Sequence, residues 1–319
     1  MDAPACVVIS GASRGLGAAL AERFAAPGVA LRLLARSATG LAGTAARCTA
    51  RGASVETATI DVRDGAAIAG QLCAWDAVRP VDCVIANAGI ARGTAPDGSW
   101  EGLLGATDQV AVNLLGAMHL VEPLLPMMRD RRAGRIALIA SVAAYRGLPD
   151  APGYAAFKAG LRAYGEGLRA ALGSRGVRVT VVMPGFFDSD MGSRWKGPRP
   201  LAIGLEAAAD RTHRAILRGA RRAAFPLPLA AVLRVVDALP AGVSDWAVRR
   251  MRFRVAPEGA PERTPEGAPE RTPEGAPERT PEGAPERTLE GAPERMPEGA
   301  PERPPEGAPR LAPRDAPGA

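Results

Sequence analysis

Two residues suited to proton transfer stand four positions apart, Tyr154 and Lys158. On a helix these positions share one face, so the phenol and the amine would be neighbours. A free phenol has a pKa of about 10, and a nearby ammonium favours the phenolate and brings that pKa toward the neutral range. Ser141, thirteen positions upstream of the tyrosine, offers a hydroxyl that can bind a substrate oxygen and stabilise a developing alkoxide. These residues predict acid–base catalysis, with Tyr154 carrying the proton and Lys158 tuning its acidity.

A glycine-rich turn near the start of the chain has the composition of an anion-binding loop. It follows an apolar run and precedes a helical pattern, and its residues of interest are Gly11, Ser13, Arg14, Gly15, Leu16 and Gly17. Glycines let such a turn close and let the backbone approach a pyrophosphate, while the amides of the helix N-terminus face the anion. A plain tight turn is the alternative, but the strand–turn–helix context favours dinucleotide binding.

The end of the second apolar run bears on which dinucleotide would bind. Enzymes that use NAD usually carry an acidic residue there for the ribose hydroxyls, whereas this chain has Leu33-Leu34-Ala35-Arg36-Ser37. A guanidinium matches a phosphate in geometry and charge. Arg36, together with Arg14, therefore predicts recognition of the 2′-phosphate of NADP in preference to NAD. Alternatively, both arginines are solvated loop residues.

The elements that would position these residues alternate along the chain. Apolar runs typical of strands buried on both faces of a parallel sheet occur at 5–10, 29–35, 81–87, 135–141 and 177–183, and longer helical patterns separate them. This alternation predicts an α/β fold, a doubly wound Rossmann-type parallel sheet in a single domain. We place this NAD(P)-binding catalytic domain at 1–225.

The combination of motifs resembles the short-chain dehydrogenase/reductase family over nearly all of residues 5–225. The family's glycine turn matches Gly11, Gly15 and Gly17, its Asn-Ala-Gly motif matches Asn87, Ala88 and Gly89, and its catalytic tetrad falls on Asn113, Ser141, Tyr154 and Lys158. A Tyr-x-x-x-Lys alone is common by chance, but several independent spacings agree here. The resemblance implies an NADP-dependent oxidoreductase that acts on a carbonyl or alcohol group, with Asn113 holding a water that links Lys158 to solvent.

The resemblance also assigns further cofactor contacts. They fall on Asp61 and Val62 after the third strand, and on Pro184 and Gly185 after the sixth, where the nicotinamide would rest. Family members often place a threonine a few residues later to bind the nicotinamide carboxamide; this chain has Ser189 instead, so the role of Ser189 stays open. Relatives commonly dimerise through a helix pair, here expected at 100–118 and 154–172, so a homodimer or homotetramer is expected; packing within one chain is the alternative.

Composition argues against nucleic-acid binding and against a structural metal site. The chain has a net charge of +6, but its arginines are scattered rather than grouped with aromatic residues, so nucleic-acid binding is not expected. The four cysteines, Cys6, Cys48, Cys73 and Cys83, form no Cys-x-x-Cys pair; we expect buried thiols, no structural metal and a reducing, cytoplasmic compartment. The N-terminal residues do not have the pattern of a signal peptide.

The C-terminal part changes character at residue 257. From there an octapeptide, Pro-Glu-Gly-Ala-Pro-Glu-Arg-Thr, repeats, and 257–319 holds 16 of the 30 prolines. With almost nothing to bury, this segment is expected to be a disordered tail without a binding role or, alternatively, a spacer or docking tail. The preceding 226–256 is an apolar extension. Prolines and charges interrupt 223–246 too often for a membrane span, so it is expected to wall the substrate pocket or to make a peripheral membrane contact.

The segment 186–225 should form a loop and helices over the cofactor, because ligands of doubly wound sheets bind beyond the carboxyl ends of the strands. Phe186, Phe187 and Trp195 concentrate there and suit a hydrophobic substrate, although they could equally be lid residues that pack on the domain. Two other functions stay open. One is a non-catalytic NAD(P)-binding regulatory or scaffold protein, which the complete tetrad disfavours; the other is the epimerase or dehydratase branch, which usually has a larger C-terminal substrate domain.

Overall fold

A computed structural model describes residues 3–250 and 254–256. They belong to one compact unit that runs from Met1 to Glu262. The predicted repeat tail, 257–319, lies outside the described residues.

The described chain forms a parallel sheet, as the sequence predicts, and this sheet has seven strands. The strands, numbered in chain order, are β1 Cys6–Ser10, β2 Ala30–Ala35, β3 Ser54–Thr59, β4 Cys83–Ala86, β5 Gly134–Ile139, β6 Val177–Pro184 and β8 Arg222–Phe225. Their order across the sheet is β3-β2-β1-β4-β5-β6-β8. Successive strands are therefore added on one side of β1 up to β3 and on its other side from β4 onward. Every residue of β1, β2, β4 and β5 is buried, which explains their near-continuous apolar sequences. The edge strand β3 is largely exposed and correspondingly polar.

Helices cover both faces of this sheet. They are α1 Gly15–Phe24, α2 Ala38–Thr49, α3 Gly65–Val78, α4 Gly102–Gln109, α5 Gly116–Val121, α6 Leu125–Asp130, α7 Pro152–Leu172, α8 Asp190–Ser193, α9 Leu205–Arg218, α10 Leu227–Ala238 and α11 Ala241–Val248. One core layer includes Leu120 and Phe157 from α5 and α7; the other includes Leu20 and Ile216 from α1 and α9. This two-sided covering is the doubly wound, Rossmann-type arrangement.

The helix expected at 100–118 differs from its prediction. It begins at Gly102, passes through a π-helical segment at Val110–Leu115 and continues through short helices to Asp130. By length and composition alone Gly102–Asp130 could cross a membrane. Its residues Leu120, Val121 and Leu124 are fully buried in the core beside the sheet, so in this fold it is a core helix.

The C-terminal half holds two further differences. Residues 222–225, which the sequence assigned to a lid and to an apolar extension, form β8 and pair in parallel with β6. A small antiparallel pair joins β7, Trp195–Lys196, to β9, Arg254–Val255. The expectation of four buried thiols is wrong for Cys73, which is exposed on α3, while Cys6, Cys48 and Cys83 are buried.

Candidate functional site

The glycine turn and the Asn-Ala-Gly motif are tied together at the carboxyl ends of β1 and β4. The hydroxyl of Ser10 accepts hydrogen bonds from the backbone amides of Asn87 and Ala88, at 3.1 and 3.0 Å. The side-chain amide of Asn87 donates to the carbonyls of Ser10 and Gly11. Gly11 has a φ of +65°, and a Cβ there would lie 2.8 Å from the Cα of Ala88. The motif therefore needs glycine at 11, and sequence analysis missed the part played by Ser10.

Asn113 holds the segment that follows β4. Its Oδ1 accepts from the amide of Ile90 at 2.7 Å, and its Nδ2 donates to the carbonyl of the same residue at 3.0 Å. A Cβ on Gly89 would stand 2.6 Å from Asn113 Oδ1, so glycine at 89 permits this close approach. The side chain of Asn113 is thus committed to the backbone beside the Asn-Ala-Gly motif.

Asn113 also lies at the centre of the π-helical segment. There the amide of Gly116 donates to the carbonyl of Ala111, five residues earlier. Such wide turns occur mostly as single insertions in α-helices and often at functional sites. Sequence periodicity predicts an uninterrupted helix here, because one inserted residue leaves little trace in an apolar pattern.

Ser141 is buried two residues after the end of β5. Its Oγ donates to the carbonyl of Pro184 at 3.3 Å and accepts from the amide of Ala143 at 3.1 Å, capping a short 3-10 turn at Val142–Ala144. The hydroxyl is therefore held between the ends of β5 and β6.

Tyr154 and Lys158 lie on the first two turns of α7, as expected from their spacing. The ring of Tyr154 packs edge-on against Phe157 and Trp195, each with a 5.2 Å centroid separation. The ammonium of Lys158 donates to the carbonyl of Ile139 at 2.8 Å and stands 5.7 Å from the centre of the tyrosine ring. The phenol, the amine and the hydroxyl of Ser141 thus converge beyond the end of β5.

The pKa values of this pair differ from the expectation. Burial raises the pKa of Tyr154, and a hydrogen bond with Ser141 offsets only part of that increase. Burial also lowers the pKa of Lys158 to about 7. The expected drop in the phenol pKa is therefore not seen, because burial disfavours the charged form of both groups.

A cavity of about 760 Å³ runs along the carboxyl ends of the strands. Of the predicted cofactor-binding residues, Gly11, Ser13, Arg14, Gly15, Leu16, Arg36, Asp61, Val62, Asn87, Ala88, Gly89, Tyr154, Lys158, Pro184, Gly185 and Ser189 line it, and so do Asn113 and Ser141. Gly17 is buried instead, and a Cβ there would lie 2.2 Å from the carbonyl oxygen of Gly11. Its smallness lets α1 pack on the turn.

The same cavity has lining residues that sequence analysis missed. They include Ser37, Gly40, Ile60, Ile90 and Val112. Ser37 caps α2 by accepting from the amide of Gly40 at 3.1 Å, and a Cβ on Gly40 would lie 2.8 Å from the Cβ of Ser13. The Ser37-x-x-Gly40 pattern is the signal that could have placed this helix start against the glycine turn.

The charged groups of this cavity differ in their partners. Asp61 accepts from Arg63, with a shortest distance of 2.7 Å, and this contact lowers the pKa of the carboxyl. Arg14 pairs with Asp190 of α8 at 3.1 Å, and both side chains are largely exposed, so the pair adds little stability. Arg36 is exposed and forms no ion pair with any residue that the structure describes.

A second, apolar cavity of about 180 Å³ adjoins the first. Its walls include Phe186, Trp195, Leu229 and Leu233, so the segment after β6 and helix α10 both contribute. The two cavities share Ser141, Tyr154, Gly185, Phe187, Ser189 and Met191. The phenol and the serine hydroxyl therefore stand where a long polar crevice meets an apolar pocket.

Ser189, whose role the sequence left open, caps α8. Its Oγ accepts from the amide of Gly192 at 3.0 Å. The residue nonetheless lines both cavities, so its hydroxyl is placed at their boundary.

Comparisons with known proteins agree with this geometry. The sequence model of the short chain dehydrogenase family matches residues 5–199. An uncharacterized oxidoreductase of Myxococcus xanthus is 34% identical over 247 residues, which cover 77% of this chain and 96% of the relative. The 3-oxoacyl-(acyl-carrier-protein) reductase FabG of Escherichia coli is 34% identical over 192 residues, which cover 58% of this chain and 74% of that enzyme.

Solved structures share the fold. Levodione reductase superposes with a TM-score of 0.64 and 26% identity, covering 71% of this chain and 97% of that one. A short-chain dehydrogenase from Sphingobium yanoikuyae in complex with NADPH gives a TM-score of 0.64 at 24% identity, covering 84% of this chain and 99% of that one. The matched family, the parallel sheet and the polar crevice at its carboxyl edge lead to one assignment. The chain belongs to the short-chain dehydrogenase family of nicotinamide-dependent oxidoreductases.

Proposed function

We propose that the protein is an NADP-dependent oxidoreductase that interconverts a hydrophobic carbonyl compound and its alcohol, with Tyr154 as the general acid and base. The observation that carries this proposal is the position of Tyr154 and Ser141 at the junction of the polar crevice and the apolar cavity. A cofactor bound in the crevice and a substrate bound in the apolar cavity would therefore meet at these two hydroxyls.

The residues around the polar crevice fit a dinucleotide. The glycine turn and the start of α1 line the crevice, where their backbone amides would hold the pyrophosphate. Lys158 reaches the crevice beside Tyr154, and its amine would hold the ribose hydroxyls next to the nicotinamide. The nicotinamide cofactor supplies the hydride when bound.

The buried phenol suits proton donation in the reducing direction. Because burial raises the pKa of Tyr154, the phenol is protonated at neutral pH and can donate to a carbonyl oxygen that becomes an alkoxide. The hydroxyl of Ser141 would donate a second hydrogen bond to that oxygen and stabilise the same charge. Lys158 would return a proton to Tyr154. The side chain of Asn113 is bound to Ile90, so a relay water at this position would use the backbone of Asn113.

Arg36 supports the preference for NADP over NAD. It follows β2 directly and lines the crevice, and no acidic residue stands at that strand end. Its guanidinium has no ion-pair partner among the described residues, so it can bind a 2′-phosphate without first leaving a carboxylate. Arg14 lines the same crevice and would contribute a second positive charge there, although it pairs with Asp190.

A spectrophotometric screen tests this function. The full-length protein is mixed with NADPH or NADH and a panel of cyclic, aromatic and medium-chain ketones, and loss of the reduced-nicotinamide absorbance is followed. We expect turnover of hydrophobic ketones with NADPH and weaker turnover with NADH. NADPH binding without turnover of any carbonyl or alcohol would instead support the non-catalytic regulatory or scaffold protein.

We also infer a homodimer that forms through the α4 side of the fold. Trp100, Leu103 and Leu104 are exposed there, and the start of α4 packs beside α7. Burial of these side chains against a second copy would remove them from water. Light scattering on the wild type and on Leu104→Glu tests this contact, with a lower mass expected for the variant.

A further inference from the structure

Helix α10 is apolar on both of its long sides. Its buried residues Leu229 and Leu233 line the apolar cavity. On the opposite side Leu227, Val232 and Val235 are exposed by 73, 55 and 63%. A helix that is hydrophobic all round is normally buried, so the outward side of α10 lacks the cover that its composition requires.

The exposed surface continues onto α11. We call the outer face the set formed by Leu227, Val232, Val235, Leu239, Val243 and Trp246. These 20 residues of chain, 227–246, hold six of the twelve large hydrophobic side chains that are exposed in the described residues. Such a concentration marks an interaction surface rather than scattered exposure.

Three arginines lie in or directly after these two helices. Arg250 stacks on Trp246, with its guanidinium 3.8 Å from the ring centroid, and also lines the apolar cavity. Arg249 precedes it and is exposed. Arg234 of α10 lies 5.7 Å from the ring of Tyr145. The acidic residues of the two helices are Asp237 and Asp245, and Arg146 pairs with the second, so cations outnumber anions here.

We propose that the outer face binds the surface of an anionic phospholipid bilayer. Apolar residues next to arginines, with a tryptophan between them, form the pattern of helices that lie in the lipid headgroup region. The positive charge of Arg249 and Arg250 beside Trp246 complements anionic headgroups. It argues against a second copy as the cover, because two such faces would bring arginines together.

This placement puts the bilayer on the far side of the helix that walls the apolar cavity. Leu229 and Leu233 face the cavity while Val232 and Val235 face outward on the same helix. A lipophilic compound dissolved in the bilayer would thus be one helix away from Tyr154. The docking itself does not depend on the proposed reaction, so vesicle binding and turnover can fail separately.

Vesicle sedimentation of the full-length protein tests the proposal. Vesicles of phosphatidylcholine with and without phosphatidylglycerol are compared, and we expect binding to the anionic vesicles that weakens at high salt. The double variant Val232→Glu/Val235→Glu should lose about ten-fold or more of its binding, because carboxylates are desolvated and repelled there. Both positions are exposed, so circular dichroism should be unchanged.

Matched controls separate the face from general hydrophobicity and charge. Val78→Glu changes a valine on α3 that is at least as exposed, by 77%, and should leave vesicle binding unaltered. Arg249→Gln/Arg250→Gln should weaken binding to anionic vesicles by roughly 30-fold, which corresponds to two arginine contacts.

The proposal is overturned if the wild-type protein stays in the supernatant with both vesicle types, or if the double variant binds as well as wild type. If wild type does not bind vesicles and Val232→Glu/Val235→Glu has a smaller mass in light scattering, the outer face is assigned instead to contact between two copies.

Discussion

The crevice along β1, β2 and β4 differs from the wall formed by 186–250 in the contacts that build it. In the crevice, hydrogen bonds and glycine contacts fix each group: Ser10, Asn87 and Asn113 each contact backbone atoms at about 2.7–3.3 Å. The wall is made of apolar side chains on short helices, and the family match ends within it, at residue 199. This difference supports our proposal that the crevice binds the cofactor, that the wall selects the substrate, and that Tyr154 and Ser141 act where the two meet.

The largest effect should come from the group at the junction of the two regions. Tyr154→Phe removes the phenol hydroxyl but keeps the ring between Phe157 and Trp195. We expect kcat/KM for ketone reduction to fall roughly 10²–10⁴-fold, the usual contribution of a general acid. NADPH affinity, measured by fluorescence titration, should change little. A variant with near-normal turnover would remove Tyr154 from the chemistry.

A substitution in the crevice should change the KM for the cofactor and leave the KM for the ketone unchanged. Arg36→Asp places a carboxylate where the 2′-phosphate would bind, so the KM for NADPH should rise about 10–100-fold, the range of a lost charge-assisted hydrogen bond. The KM for NADH should stay level or fall. Equal effects on the two cofactors would show that Arg36 is a solvated loop residue. Arg175→Asp, at an exposed arginine beyond α7, serves as the charge-matched control.

A substitution in the wall should change the KM for the ketone and leave the KM for NADPH unchanged. Leu233→Ala shortens a side chain that lines the apolar cavity, so the KM for a bulky ketone should rise roughly 10-fold while that for a small ketone changes less. The KM for NADPH should be unaffected. Because Leu233 is buried, thermal unfolding is measured alongside, and a loss of stability without any change in substrate ranking would contradict a role in substrate choice.

The smallest expected effect concerns pH. The phenol pKa is raised and the Lys158 pKa is lowered to about 7, so both groups carry their protons below about 7. Reduction should therefore be level at low pH and decline by a few-fold as the pH rises through about 7, where Lys158 loses its proton. Lys158→Arg keeps its charge and should remove that inflection, whatever its absolute rate. An unchanged profile in this variant would contradict the assignment.

The features that the sequence predicts correctly are those set by patterns among neighbouring residues. Alternating apolar runs predict the parallel sheet, and the spacing of Tyr154 and Lys158 places them on one face of α7. Prediction failed where partners are distant in sequence. The hydrogen bond between Ser10 and Asn87, for example, joins residues 77 positions apart. Two local features also escaped prediction. The π-helical insertion at 110–115 leaves the hydrophobic pattern intact, and β8, with four residues, is too short to give a clear strand pattern.

The direction of the Tyr154 pKa shift also could not be predicted from the sequence. Spacing shows that an amine stands near a phenol, but burial depends on the whole fold and acts on both groups. Phe157 and Trp195 enclose the phenol, and β7, which carries Trp195, is held by β9 sixty residues later. No local pattern in the sequence reports that enclosure, so the direction of the Tyr154 shift required the structure.

A crystal structure of the protein with NADPH and a poorly turned-over hydrophobic ketone would test the central claim most directly. We expect the dinucleotide in the polar crevice, the ketone in the apolar cavity, and the carbonyl oxygen within hydrogen-bond distance of both Tyr154 Oη and Ser141 Oγ. A ketone bound with its oxygen away from both hydroxyls, or a nicotinamide outside the crevice, would contradict it.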